Sequence, residues 1–177
     1  MHQLIVDVVA RVTPVPASVL DVGCGGGELV RALGAALPGA SVVGVDPRLR
    51  RGLPGSGRVR FVEGSAERIP FADDSFDVVT ASLSFHHWAD KAAGIHEVAR
   101  VLKPGGWLVI GDPLLDGPLR NPLLGWLARV TDSGRFATPD EVRAHLAAAG
   151  LGPVTITLVP KSWRLLYLIV APAPGVA

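Results

Sequence analysis

Cysteine is nearly absent: Cys24 is the only one in 177 residues. No internal disulfide can form and no thiolate cluster can hold zinc, so no metal site is expected. Charge is scarce too, at 19% of residues, and almost balanced, with a formal net charge of +1. A chain of this balance is not a general binder of nucleic acid or of anionic membranes. Long apolar runs are missing. The LLYLIVAPAP stretch near the C-terminus is too short to cross a bilayer and is interrupted by prolines, so no membrane insertion is expected. The first sixteen residues, MHQLIVDVVARVTPVP, carry neither a basic n-region nor a small-residue cleavage site, which leads to the expectation of a cytoplasmic protein. No internal repeat and no long linker divides the chain, and 49% of its residues are hydrophobic. A single domain spanning 1–177 is expected, with a core large enough to fold alone.

What the chain does contain is an alternation of short apolar runs and helical patterns. Leu4, Ile5, Val8, Val9 and Val12 recur at helical spacing before Pro14 and Pro16, so 1–17 is read as an N-terminal helix. SVLDVG (18–23), SVVGVD (41–46), RVRFVEG (58–64), FDVVTAS (76–82) and WLVIGD (107–112) read as strands. Helices are expected over 28–37, over 90–102 and, with Thr138 as a cap, over 139–149. Strands alternating with helices imply a mostly parallel sheet with helices on both faces. The tail breaks the rhythm. VTITLVP (154–160) and RLLYLIVA (164–171) lie too close together for a helical crossover and must pair antiparallel. The expected fold is α/β: a single Rossmann-like domain with a mostly parallel seven-stranded sheet and an antiparallel C-terminal hairpin.

The sharpest local feature is VLDVGCGGGELV (19–30). A buried strand ends in a glycine turn and a helix starts at once. Gly23, Gly25 and Gly27 let a ligand approach the backbone. Dinucleotide enzymes seat a pyrophosphate on a similar turn, but the third glycine of their spacing falls here on Glu28, a poor neighbour for phosphate. Asp21 points the same way, since a carboxylate there suits a cationic ligand group. Asp46, ending the second strand, suits the two hydroxyls of a ribose. A cationic amine, a ribose and no phosphate describe S-adenosylmethionine better than NAD.

Together these motifs resemble those of the class I S-adenosylmethionine-dependent methyltransferases, in particular the small-molecule group related to the ubiquinone-biosynthesis enzymes. LDVGCGGG is similar to the family's first motif, GVD (44–46) to its second, and EGSAERIPFADDSFDVV (63–79) to its third and fourth. SLSFHHWAD (82–90) resembles the segment that faces the methyl donor, EVARVLKPGGWLVIGD (97–112) the helix and fifth strand, and FATPDEVRAHLAAAGL (136–151) the late helix. The resemblance implies a cofactor site made of Asp21, Gly23, Cys24, Gly25, Asp46, Pro47, Ser65, Ala66, Glu67 and Ser82. Asp46 would hold the ribose, with Pro47, Ser65 and Ala66 beside the adenine. Ser65 departs from the acidic residue common in the family, and Glu67 is the candidate to compensate. Only about eighteen residues precede the first motif. A more open site, or one closed by a partner subunit in a homodimer, is therefore expected.

Methyl transfer is an in-line displacement at an activated sulfonium, so it calls mainly for alignment and exclusion of water. A base is needed only where the nucleophile must lose a proton. His86 and His87, following the fourth strand at the ligand edge, are the candidate catalytic residues, set against a cap and a packing role. Asp112 is a candidate to orient substrate, and Phe85, Trp88 and Trp126 are candidates to line an apolar pocket. The arginine-rich RLRRGLPGSGRVR (48–60) has no stacking aromatics and reads as a solvated loop around a short helix, so no nucleic-acid partner is expected. Residues 113–137 mix apolar spacing with Pro and Gly and are read as a lid over the substrate. The function expected is methyl transfer to a small, partly apolar acceptor. The alternative is a relative that binds S-adenosylmethionine or S-adenosylhomocysteine without turnover.

Overall fold

The computed structural model describes residues 1–13, 15–49, 52–53, 55–117, 135–160 and 165–175. Its elements run α1 (His2–Val12), β1 (Ser18–Val22), α2 (Glu28–Ala36), β2 (Ser41–Asp46), β3 (Val59–Glu63), β4 (Phe76–Ser82), a 3₁₀ turn (Phe85–His87), α3 (Lys91–Val101), β5 (Leu102–Pro113), α4 (Pro139–Ala148), β6 (Thr155–Leu158) and β7 (Leu166–Pro172). The strands form one sheet in the order β3-β2-β1-β4-β5-β7-β6. The first five are parallel, and β7 runs antiparallel to both β5 and β6. The fold class expected from sequence is what the chain adopts.

Period-two alternation along the central strands sorts their side chains onto two faces. Leu20, Val43, Val79 and Leu108 join Ile95 and Val98 of α3 and Val142 and Leu146 of α4 in one layer. Val19, Val42, Val78 and Val109 join Ile5 and Val9 of α1 and Leu29 and Leu33 of α2 in the other. Each such side chain, removed from water, stabilises by about 1.5–3 kcal/mol. That is why the near-continuous apolar runs of β1 and β2 mark them as central strands.

Polar clamps fix the connections. The Asp77 carboxylate accepts from the backbone N–H of Ala17 and Ser18 at 2.9 and 2.8 Å and from Lys103 Nζ at 2.8 Å, pinning the amino edge. Arg100 bonds Glu97, Asp73 and the carbonyls of Ile69 and Phe71, which ties 69–73 to α3. The segment just before it, Ser65–Glu67, is thereby delivered to the carboxyl edge. Thr138 and Glu141 close a full capping box on α4, stronger than the single cap expected.

Three expectations need correction. The described residues between β2 and β3 contain turns and no helix. β5 starts at Leu102 rather than 107, because Leu102 pairs with Phe76 across an irregularity in the β4–β5 register. Of the α1 stripe, Val6 rather than Leu4 is buried with Ile5 and Val9. Most of the lid reading, 118–134, and Trp126 with it, falls outside the described residues. No described helix is long and apolar enough to cross a membrane.

Candidate active site

The sheet reverses direction at β1: the chain builds outward through β2 and β3, then crosses to β4 on the other side. In open α/β sheets this switch point leaves a crevice at the carboxyl ends of the strands. Here the crevice is a cavity of about 530 Å³. Of the residues singled out for the cofactor, Gly23, Gly25, Asp46, Pro47, Ala66 and Glu67 line it, together with His86 and His87.

Each is held for a local reason. Gly23 adopts φ +77°, and a Cβ there would lie 2.5 Å from Ser84 Cβ, so only glycine lets the loop close onto the β4 end. Gly25, also at positive φ, has open space where a side chain would stand. Asp46 is fixed by two backbone donors, Gly25 N–H at 2.9 Å and Arg48 N–H at 2.8 Å. Glu67 Oε1 accepts from Ala89 and Asp90 N–H at 2.8 and 3.2 Å, joining the loop after β3 to the start of α3. Burial pushes the Glu67 carboxyl up, but hydrogen bonds from the backbone and from the Ser65 hydroxyl outweigh it and hold it below its ordinary value. Ser65 thus serves Glu67 in this structure.

Asp21, Cys24, Ser65 and Ser82 are not among the residues that line the cavity. Asp21 is 2% exposed, and Thr80 Oγ1 donates to it at 2.9 Å. Desolvation raises its pKa to about 7, with the Asp46 charge adding to the rise and the Thr80 bond opposing it. Burial likewise pushes the Cys24 thiol up to about 12, which makes it an inert packing group. Ser82 Oγ is buried and has no hydrogen-bond partner among the described residues.

The catalytic candidates separate. His86 is buried and its Nδ1 lies 2.8 Å from Asp112 Oδ1. Asp112, fully buried at the end of β5, also accepts from Phe85 N–H at 3.0 Å. Burial drives its carboxyl upward, against the His86 and Phe85 hydrogen bonds. Asp112, read from sequence as a group to orient substrate, is not among the residues that line the cavity, and its carboxylate meets His86 and the Phe85 backbone. Phe136 stacks on the His86 ring at 5.2 Å, and Arg135 N–H donates to the His86 carbonyl at 2.8 Å. His87 is exposed beside it, the ring centroids 4.0 Å apart. Phe85 packs in the core edge-on to Trp88, and only Trp88 of the two reaches the cavity. His96 is exposed on α3 and His145 half-buried on α4. Sequence reasoning missed Arg48, Leu83, Ser84 and Arg135 as wall residues. Leu83 carried no signal, because its φ of +52° is not a leucine preference.

A glycine cradle with open space above Gly25, a fixed carboxylate at Asp46 and a buried carboxyl at Asp21 near the loop suit a ligand with a ribose and a cationic end. The model of the methyltransferase domain family matches residues 20–110. The chain is 42% identical over 163 residues to the demethylmenaquinone methyltransferase of Thermus thermophilus, covering 76% of this chain and 74% of the relative.

The chain belongs to the class I S-adenosylmethionine-dependent methyltransferases.

It is also 37% identical over 147 residues to the 27-O-demethylrifamycin SV methyltransferase of Amycolatopsis mediterranei, covering 76% of this chain and 53% of that enzyme. The YcgJ protein of Bacillus subtilis shares the fold, with a TM-score of 0.78 at 22% identity, covering 99% of this chain and 100% of that one. This methyltransferase spans about half the length of some curated relatives, 44% in the case of the demethylmenaquinone methyltransferase of Chlorobaculum parvum.

Proposed function

We propose that this methyltransferase transfers a methyl group from S-adenosylmethionine to a hydroxyl of a small, partly apolar acceptor. The observation that carries the reading is the buried His86–Asp112 pair at the cavity wall. Asp112 accepts the Nδ1–H of His86 and so fixes the tautomer whose lone pair lies on Nε2. That nitrogen is then the base that takes the acceptor's hydroxyl proton as the oxygen attacks. Asp112 also stabilises the imidazolium that results and so acts as a positioning residue.

When bound, S-adenosylmethionine supplies a methyl group already activated on sulfur. Asp46 would hold its ribose, Ala66 and Pro47 would flank its adenine, and the Gly23–Gly25 backbone would face its amino-acid end. The buried Asp21 carboxyl would complement its positive charge from behind the loop. The similarity to an enzyme named for an O-methylation supports a hydroxyl acceptor. Leu83 and Trp88 supply the apolar part of the wall, which supports a partly apolar acceptor.

The test is transfer of labelled methyl from S-adenosylmethionine to metabolite-extract acceptors, comparing the native chain with His86→Ala. Base catalysis of this kind contributes roughly a hundred- to ten-thousand-fold, and the variant should lose that factor while still binding S-adenosylhomocysteine. Undiminished transfer by the variant would remove His86 from the mechanism.

A further inference from the structure

A second cavity, of about 330 Å³, shares the wall residues Ala89 and Arg135 with the catalytic one. It lies where the first turns of two helices converge, α3 at Asp90–Ala92 and α4 at Ala137–Glu141. Two cations, Lys91 and Arg135, line it, as do His145 and two carboxylates, Asp90 and Glu141. Both carboxylates are spent on helix caps. Asp90 Oδ1 accepts from Ala93 N–H at 3.0 Å, and Glu141 Oε2 accepts from Thr138 N–H and Oγ1 at 2.7 and 3.0 Å.

The cations are not spent in that way. Among the described residues, neither Lys91 nor Arg135 has a carboxylate at ion-pair distance. Among the described residues, Lys91 Nζ meets the Trp88 carbonyl at 3.4 Å and the face of Phe85, 5.5 Å from its centroid. Desolvation holds Lys91 below its ordinary value and the Arg135 charge pushes the same way, against Asp112, Glu141 and Glu67. The formal charges of the two cations and two carboxylates cancel. The helix N-termini, each worth roughly half a positive charge, leave the cavity favourable to an anion.

We propose that Arg135 and Lys91 form an anion subsite that receives a carboxylate or phosphate group carried by the methyl acceptor, whose hydroxyl lies at His86. The inference rests on the acceptor reading above and narrows it to acidic acceptors. Arg135 joins the two ends, since it lines both cavities and its backbone N–H holds the His86 carbonyl.

The test is a nuclear magnetic resonance titration of isotope-labelled protein, with and without saturating S-adenosylhomocysteine. The probes are inorganic phosphate and the matched pair p-hydroxyphenylacetate and p-hydroxyphenylacetamide, and the variants are Arg135→Gln and Lys91→Met. Phosphate or the acid, but not the amide, should give saturable shifts at Ala89–Ala92 and Phe136–Ala137. Each variant should weaken that binding roughly ten-fold, the worth of about one charge-assisted hydrogen bond, and Lys91→Met, at a residue that lines the second cavity but not the catalytic one, should leave S-adenosylhomocysteine affinity unchanged. Response to phosphate alone assigns a phosphorylated acceptor, and response to the acid alone a carboxylated one. Absence of both, or equal binding by the variants, overturns the subsite. Loss of S-adenosylhomocysteine affinity in Lys91→Met also overturns it, because that cation would then serve the cofactor's own carboxylate. Failure of the native chain to bind S-adenosylhomocysteine would sink the methyltransferase reading, while the titration without it would still decide the anion site.

Discussion

Replacing Asp21 by Asn should make the protein more stable and a poorer binder of its cofactor at the same time. Asp21 is buried, and its folded pKa rises from 3.8 to about 7. Between those values the folded chain holds a proton that the unfolded chain has released, so stability falls as pH rises through this window and levels off above about 7. At 1.36 kcal/mol per unit, the ionised carboxyl costs about 4 kcal/mol at pH 8. Asn keeps an oxygen for the Thr80 hydroxyl but buries an amide donor, which costs about 1–3 kcal/mol if it finds no acceptor. The net gain at pH 8 should be about 1–3 kcal/mol, and it should exceed the gain at pH 5 by about 3 kcal/mol. Urea denaturation at both pH values measures this directly. Titration with S-adenosylmethionine at pH 8 should show affinity reduced by more than about ten-fold, because the charge that complements the ligand is gone. A stability gain equal at the two pH values, or unchanged affinity, would refute the reasoning that burial destabilises Asp21 and that the cofactor uses its charge.

Other consequences follow from the same geometry. Asp112→Asn should cut methyl transfer by two or more orders of magnitude by altering the His86 tautomer, with S-adenosylhomocysteine binding retained in a calorimetric titration, whereas His87→Ala should cost far less. Gly23→Ala should destabilise by about 1–3 kcal/mol in thermal unfolding, because φ +77° and the 2.5 Å approach to Ser84 both oppose a side chain. Thr138→Ala should cost about 1 kcal/mol through loss of the capping box, read as a lowered urea midpoint. The Asp77 pKa is lowered: burial opposes ionisation, but Lys103 and Ser18 outweigh it. Its stabilisation is present above the ordinary carboxylate pKa and is lost as pH falls through the folded one, so Asp77→Asn should flatten the acid limb of the stability profile.

The fold was legible because its signals are local. Glycine after β1, Asp at the end of β2 and two strands too close for a crossover each constrain the topology without reference to distant residues. The position of His86 was legible for the same reason, since it follows a strand at the ligand edge. Its partner was not. Asp112 is 26 residues away in sequence and reads there as a group to orient substrate. Only the β4–β5 register, with Ser82 opposite Gly111, brings the two together. Arg135 lies beyond the irregular stretch after β5, where spacing says nothing about which cavity a side chain meets. Glu67 lines the cavity, but its bonds to the Ala89 and Asp90 backbone were not legible, because those donors come from a loop 22 residues on.

The most direct measurement is calorimetric titration of the native chain and Asp46→Ala with S-adenosylhomocysteine. Micromolar binding by the native chain, lost or strongly weakened in the variant, is the expected result. A folded native chain that binds no adenosyl ligand, or a variant that binds as well as the native chain, would contradict the assignment of this cavity to the methyl donor.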